Sequence, residues 1–184
     1  MRRFLRLHPE SRCEGVARIE VDVARPGAGD LVLGYRVTGS VNDLYLPPAA
    51  APARADELWR RTCFEAFVRA VPGAAYLEFN FAPSTQWAAY GFSGYRTGMR
   101  QAGEIPAPRI EVERGDAHFE LRVSLRLDAA SLGLSDAAWR LGLCAVVEET
   151  AGRRSYWALA HPPGRADFHH PDAFALELPK AEPR

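Results

Sequence analysis

The stretch LWRRTCFEAFVRAVPGAAYLEFNFAPSTQWAAYGFSGYRTGM, residues 58–99, holds two of the four Trp and five of the nine Phe of a 184-residue chain. Two segments in it alternate as half-buried strands do: Phe64, Ala66 and Val68 against Cys63, Glu65 and Phe67, then Leu77, Phe79 and Phe81 against Tyr76, Glu78 and Asn80. Each strand has one face for a core. The other face carries Glu65, Glu78 and Asn80, framed by Trp59, Tyr76 and Trp87, a mixture that suits a binding surface better than a bare solvated one.

Short strand patterns recur outward from this stretch, and no segment sustains a helical period. Phe4 to His8 reads as a first strand, and residues 17–23 and 31–37 as a hairpin across Arg25-Pro26-Gly27. Asn42 to Leu46 reads as a short extended piece, followed by the Pro-rich connection 47–52 and one helical turn over 55–61 with Asp56 at its start. Strands over 62–70 and 75–82 turn at Pro72-Gly73, Gln86 to Phe92 continues as strand, and 93–105 is a Gly-containing loop. Residues 109–114 and 117–127 form the cleanest hairpin, 128–138 carries a helical turn at most, and strands follow over 139–150, 155–160 and 173–178. About ten short strands predict an all-β fold, an antiparallel β-sandwich of jelly-roll type, in one domain spanning residues 1–184.

Composition narrows the function classes. The 23 Lys and Arg balance 23 Asp and Glu, so no basic excess exists to hold a phosphate backbone, and nucleic acid is not expected as a partner. No run approaches 18 apolar residues, and the basic N-terminus lacks the apolar core of a secretory signal, so no membrane association is expected, and a cytoplasmic location is expected unless a targeting signal has been removed. Cys13, Cys63 and Cys144 are widely spaced and unpaired in pattern, which argues against disulfides and a zinc site. No nucleophile elbow, zinc-protease helix or phosphate loop is present, and two carboxylates on neighbouring strands are common in any sheet, so no enzyme activity is expected.

The order of motifs resembles a DOMON-like domain of the bacterial subgroup related to family 9 carbohydrate-binding modules. The residues that carry the resemblance are Leu58-Trp59, Cys63-Phe64-Glu65-Ala66-Phe67, Tyr76-Leu77-Glu78-Phe79-Asn80-Phe81, Pro83-Ser84, Trp87-Ala88-Ala89-Tyr90, Gly94-Tyr95-Arg96 and Gly98-Met99. Ser155-Tyr156-Trp157, Phe168-His169-His170-Pro171, Phe174 and Leu176-Glu177-Leu178 extend it over nearly the whole chain.

What the resemblance implies is a β-sandwich that binds a sugar or haem. In the sugar-binding relatives two Trp sandwich a pyranose, which would be Trp59 and Trp157 here. Glu65, Glu78, Asn80, Gln86 and Arg96 would fix hydroxyls, with Trp87 among the framing aromatics. In the haem-binding relatives a Met and a His are axial ligands, which would be Met99 with His161 or His169. A non-catalytic module for a small carbohydrate or sugar-containing metabolite, without a cofactor, is the expectation. A haem-binding domain and a protein-interaction domain remain alternatives, the oligomeric state is open, and each Trp would also suit a core position. Glu65 and Glu78 must either face water or find a partner, for which Arg60, Arg61 and Arg96 are candidates.

Overall fold

A computed structural model describes residues 1–127, 134 and 137–181. Among these, twelve strands pair antiparallel in one sheet: β1 (Arg2–Leu7), β2 (Val16–Ala24), β3 (Asp30–Gly39), β4 (Cys63–Val71), β5 (Tyr76–Phe81), β6 (Trp87–Phe92), β7 (Arg100–Gln101), β8 (Arg109–Arg114), β9 (His118–Arg126), β10 (Ala138–Glu148), β11 (Arg154–Ala158) and β12 (Leu176–Leu178). Their order across the sheet is β7-β6-β5-β4-β10-β11-β1-β2-β3-β9-β8. The free edge of β10 is shared: residues 139–141 pair with β12 and residues 144–148 with β11.

β1 joins the two halves of the sheet, pairing through Arg2–Leu5 with β2 and through Arg6 and Leu7 with β11. The sheet curls so that the inner faces of the halves meet. Phe64 on β4 lies 5.1 Å from the ring of Tyr35 on β3 and 5.7 Å from that of Phe119 on β9. The Tyr35 hydroxyl donates to the Glu65 carbonyl at 2.8 Å, so the one polar group in this contact has its partner. Phe64, Ala66 and Val68, with Leu77, Phe79 and Phe81, all belong to this inner cluster, as their alternation predicts.

The halves differ on their outer faces. β3 and β9 alternate buried and exposed, the pattern of a sheet with one wet face, whereas β5 and β6 are buried at every position. What covers the second half is chain from elsewhere. Leu58, Trp59, Phe168 and Phe174 pack over Phe67, Tyr76, Phe92 and Cys144 as a smaller apolar cluster. Gly142 lets the covering turn come close, because a Cβ there would lie 3.2 Å from the Ala173 carbonyl oxygen.

Several local expectations change. The helical turn expected over 55–61 is a single 3-10 turn, Leu58–Arg60, entered through Glu57 with φ of 61° and no side-chain cap from Asp56. Asn42 to Leu46 opens as a 3-10 turn, Val41–Asp43, before Leu44 bridges to Glu149. The loop 93–105 contains β7, and the last strand is shortened to three residues by the 3-10 turn Pro171–Ala173. The turn of helix read over 128–138 falls largely outside the described residues.

Candidate functional site

The outer face of the second half is where β5, β4, β10 and β11 bring polar groups together. Register places Glu65 of β4 opposite Asn80 of β5 on one side and Cys144 of β10 on the other, and sets Val146 of β10 opposite Tyr156 of β11. Glu78 sits opposite Phe67, one pair along from Glu65, so the two carboxyls are diagonal neighbours on one floor. Above this floor Trp59, Phe92, Phe168, His169, Arg96, Met99 and Arg154 enclose a cavity of about 410 Å³. That volume lies within the range of small-ligand sites. A depression of about 490 Å³ near Ala70, Gly73 and Ala75 is lined mainly by small residues, with Arg100 as its charged lining residue, and lacks this convergence of polar and aromatic groups.

Loops from distant parts of the chain form the walls. Arg96 holds a left-handed backbone with φ of 51°, a conformation that costs a β-carbon residue on the order of 1 kcal/mol. It is fixed by its guanidinium, which donates to Asp167 at 2.8 Å, by the Tyr95 hydroxyl donating to the same carboxylate, and by its own N–H donating to the Tyr76 hydroxyl at 3.3 Å. Gly98, with φ of 63°, lets the loop fold back on Ser93, whose Oγ would be 2.3 Å from any β-carbon there.

The carboxyl pair is deeply buried, with Glu65 3% and Glu78 5% exposed. One Glu78 oxygen accepts from Asn80 Nδ2 at 2.7 Å, and Glu65 Oε2 faces the Cys144 thiol at 3.9 Å. Among the described residues, Glu65 Oε1 has no hydrogen-bond partner. Burial, and then the neighbouring charge of Glu78, pushes the Glu65 carboxyl well above the ordinary carboxylate range. Burial also raises Glu78, although the Asn80 hydrogen bond pulls the other way. Both carboxyls are thus pushed toward protonation, and a protonated carboxyl can donate as well as accept.

His169 does not ionise to offset this pair. Its Nε2 lies 3.7 Å from Glu78, but burial, followed by the Arg96 charge, holds the imidazole down to about 4. Its Nδ1 lies 2.8 Å from the Tyr76 hydroxyl, to which the Arg96 N–H donates at 3.3 Å. Met99 is 55% exposed and His161 is not among the residues that line the cavity, so the residues present do not offer a buried axial Met–His pair.

A pH prediction follows from Glu65. The folded chain keeps a proton that the unfolded chain releases as pH climbs past about 4.3, so the stability attached to this group is full below that value and is lost as pH rises toward its raised folded value. Glu65→Gln removes this loss. Relative to the parent, the variant is expected to gain stability as pH rises above about 4.3, read as a higher Tm at neutral pH, and to lose that gain below this value. His169 acts in the opposite sense between about 4 and its ordinary 6.5, and comparing the two proteins at each pH cancels it. Thermal melts across this range check the outcome, and a gap that does not change with pH would contradict it.

The cavity gathers Trp59, Glu65, Glu78, Arg96, Met99 and His169. Asn80 is fully buried beside it and acts through Glu78. The other residues expected at the site are elsewhere. Trp87 lies opposite Phe81 on the core side, its ring 4.1 Å beneath the Arg54 guanidinium, because it shares the inward face of β5 and β6. Trp157 is likewise a core residue, its indole N–H donating to Ser155 at 3.0 Å; the strand's alternation turns its neighbour Tyr156 into the cavity instead. Gln86 stands at the turn before β6, accepting from the Ser84 hydroxyl. His161 packs edge-on against His8 at 4.8 Å and bonds the Arg6 carbonyl. As for the proposed Glu partners, Arg60 pairs with Glu57, Arg61 with Glu148 and Arg96 with Asp167, so none reaches the buried pair as an ion-pair partner. Phe92, Val146, Arg154, Tyr156, Ala166 and Phe168 complete the lining without having been expected there.

No family model and no curated protein matches the chain. Among solved structures, a "putative carbohydrate-binding protein" from Bacteroides uniformis ATCC 8492 has a similar fold. The TM-score is 0.68 and the identity 14%, over 94% of this chain and 83% of that one.

Proposed function

We propose that the cavity binds a small carbohydrate or sugar-containing metabolite without transforming it. The observation that carries this reading is the Trp59 ring standing in one cavity with the buried pair Glu65 and Glu78. An indole face suits the apolar C–H face of a sugar ring, and a carboxyl floor that donates and accepts suits its hydroxyls. Glu65 Oε1, buried without a partner, is satisfied by a ligand hydroxyl; leaving such a group unpaired costs about 1–3 kcal/mol. In this reading the curled sheet serves as the jelly-roll-like sandwich of a DOMON-like module; the description of the Bacteroides uniformis protein as carbohydrate-binding supports the ligand class alone.

Two features speak for binding without catalysis. Glycoside hydrolysis asks for one protonated and one ionised carboxyl flanking the scissile bond. Here both carboxyls lie side by side on one floor, and both are pushed toward protonation. A protein-docking surface would be flat and apolar, whereas this site is concave and holds buried carboxyls. Calorimetric titration against mono- and disaccharides, amino sugars included, tests the reading. Saturable binding to at least one sugar, weakened by Trp59→Ala, is expected; no heat from any of them with a folded protein would overturn it.

A further inference from the structure

A second cavity, about 590 Å³, adjoins the first and shares Arg154, Tyr156 and Ala166 with it. Its charge is unlike that of the chain as a whole, which balances 23 cations against 23 anions. Arg12, Arg153, Arg154 and Arg165 line it against Glu10 alone among carboxylates. Arg153 is neutralised by Glu14 at 3.0 Å and Glu149 at 3.5 Å. Among the described residues, Arg12, Arg154 and Arg165 form no ion pair, and Arg154 donates only to the Arg60 carbonyl at 3.4 Å.

The segment carrying Arg12 is fastened to the sheet. The His8 N–H donates to the Tyr156 carbonyl at 2.8 Å, and the Tyr156 N–H donates to Ser11 Oγ at 3.3 Å. Like charges held together repel, and three guanidiniums converging on one hollow favour an anion there. Their planar forks match phosphate oxygens two at a time. The first cavity supplies the complementary half, an aromatic wall and a carboxyl floor for a neutral ring, and Arg154 stands on the shared border.

We propose that the ligand is a phosphorylated sugar, its ring in the cavity of Trp59, Glu65 and Glu78 and its phosphate ester among Arg12, Arg154 and Arg165. This rests on the carbohydrate reading and gives it a ligand class. A sugar monophosphate and a nucleotide-diphosphate sugar share this chemistry; the second would extend farther along the Arg-lined hollow.

The test is calorimetry on the full chain with four probes: inorganic phosphate, a panel of hexoses, their 1- and 6-phosphates, and nucleotide-diphosphate hexoses. Each is titrated into the parent and into Arg12→Ser/Arg165→Ser, whose two sites are exposed and line only the second cavity. Phosphorylated hexoses are expected to bind roughly tenfold or more tightly than their parents, as charge-assisted hydrogen bonds require. That advantage should shrink in about 0.5 M salt and vanish in the double variant, which keeps the parent protein's affinity for plain hexoses. Tighter binding of the nucleotide-diphosphate hexoses than of the monophosphates would identify the longer ligand; the reverse would identify the monophosphate.

Equal affinity for a hexose with and without its phosphate would overturn the inference and leave the carbohydrate reading standing. Binding of inorganic phosphate, lost in the double variant, with no sugar bound in either form would overturn both as stated. The same phosphate advantage persisting in the double variant would remove the arginines from the account.

Discussion

Phe64→Ala is expected to cost about 3–5 kcal/mol and to lower Tm by roughly 10 °C or more. Phe64 is wholly buried and stands between Tyr35 and Phe119, the rings through which the two halves of the sheet meet. Removing its ring leaves a void flanked by strands on both sides, which cannot collapse without breaking the β4–β10 register. Against a typical domain stability of about 5–15 kcal/mol, this is a large fraction. Urea unfolding followed by circular dichroism measures it. Phe4→Ala, at a residue 53% exposed, serves as the control and should change stability by about 0.5 kcal/mol or less. Equal small effects at both positions would mean that the curled sheet is not held together at Phe64.

Trp59→Ala and Trp157→Ala are expected to separate binding from folding. Trp59 stands on the cavity wall, where its ring meets Tyr90 edge-on at 5.9 Å, and its loss leaves the main core untouched. Sugar affinity should fall by about 2 kcal/mol or more, roughly thirtyfold, as for other buried aromatic anchors. Trp157, 6% exposed in the core, should instead cost about 3–5 kcal/mol of stability, with any effect on affinity arising through displaced neighbours. Calorimetry and denaturant unfolding on both variants distinguish these outcomes. Loss of affinity with Trp157→Ala at unchanged stability would reverse the assignment of the walls.

Alternation made the inner face readable. Phe64, Ala66, Val68, Leu77, Phe79 and Phe81 point where a period of two puts them, because that rule is local and the core rewards it at each position. The same rule held Glu65, Glu78 and Asn80 to the opposite face, yet could not say that this face is buried. Its cover comes from Leu58, Trp59 and the segment of Phe168 and Phe174, which is distant in sequence and has no period of its own.

Trp87 and Trp157 lie in the core cluster for specific reasons. Trp87 pairs with Phe81 across the β5–β6 ladder, so placing Phe81 inward already placed Trp87 inward, a consequence available once that register is known. In β11, Ser155-Tyr156-Trp157 offers an aromatic to each face, and only the pairing of Ala145 with Trp157 and Val146 with Tyr156 decides between them. The carboxyl floor was legible from β4 and β5 alone. The arginine hollow was not, because it joins residues 8–12 to 153–156 and 165–166, and the balanced total charge conceals it.

The most direct test of the carbohydrate site reads the four indole N–H resonances by two-dimensional NMR during a sugar titration. Trp87, Trp139 and Trp157 are buried in the main core, whereas Trp59 lines the cavity. One indole resonance, the one lost in Trp59→Ala, is expected to shift in a saturable way while the other three stay in place. Saturable sugar binding that leaves the Trp59 resonance unmoved, or the absence of any shift with the whole panel, would contradict it.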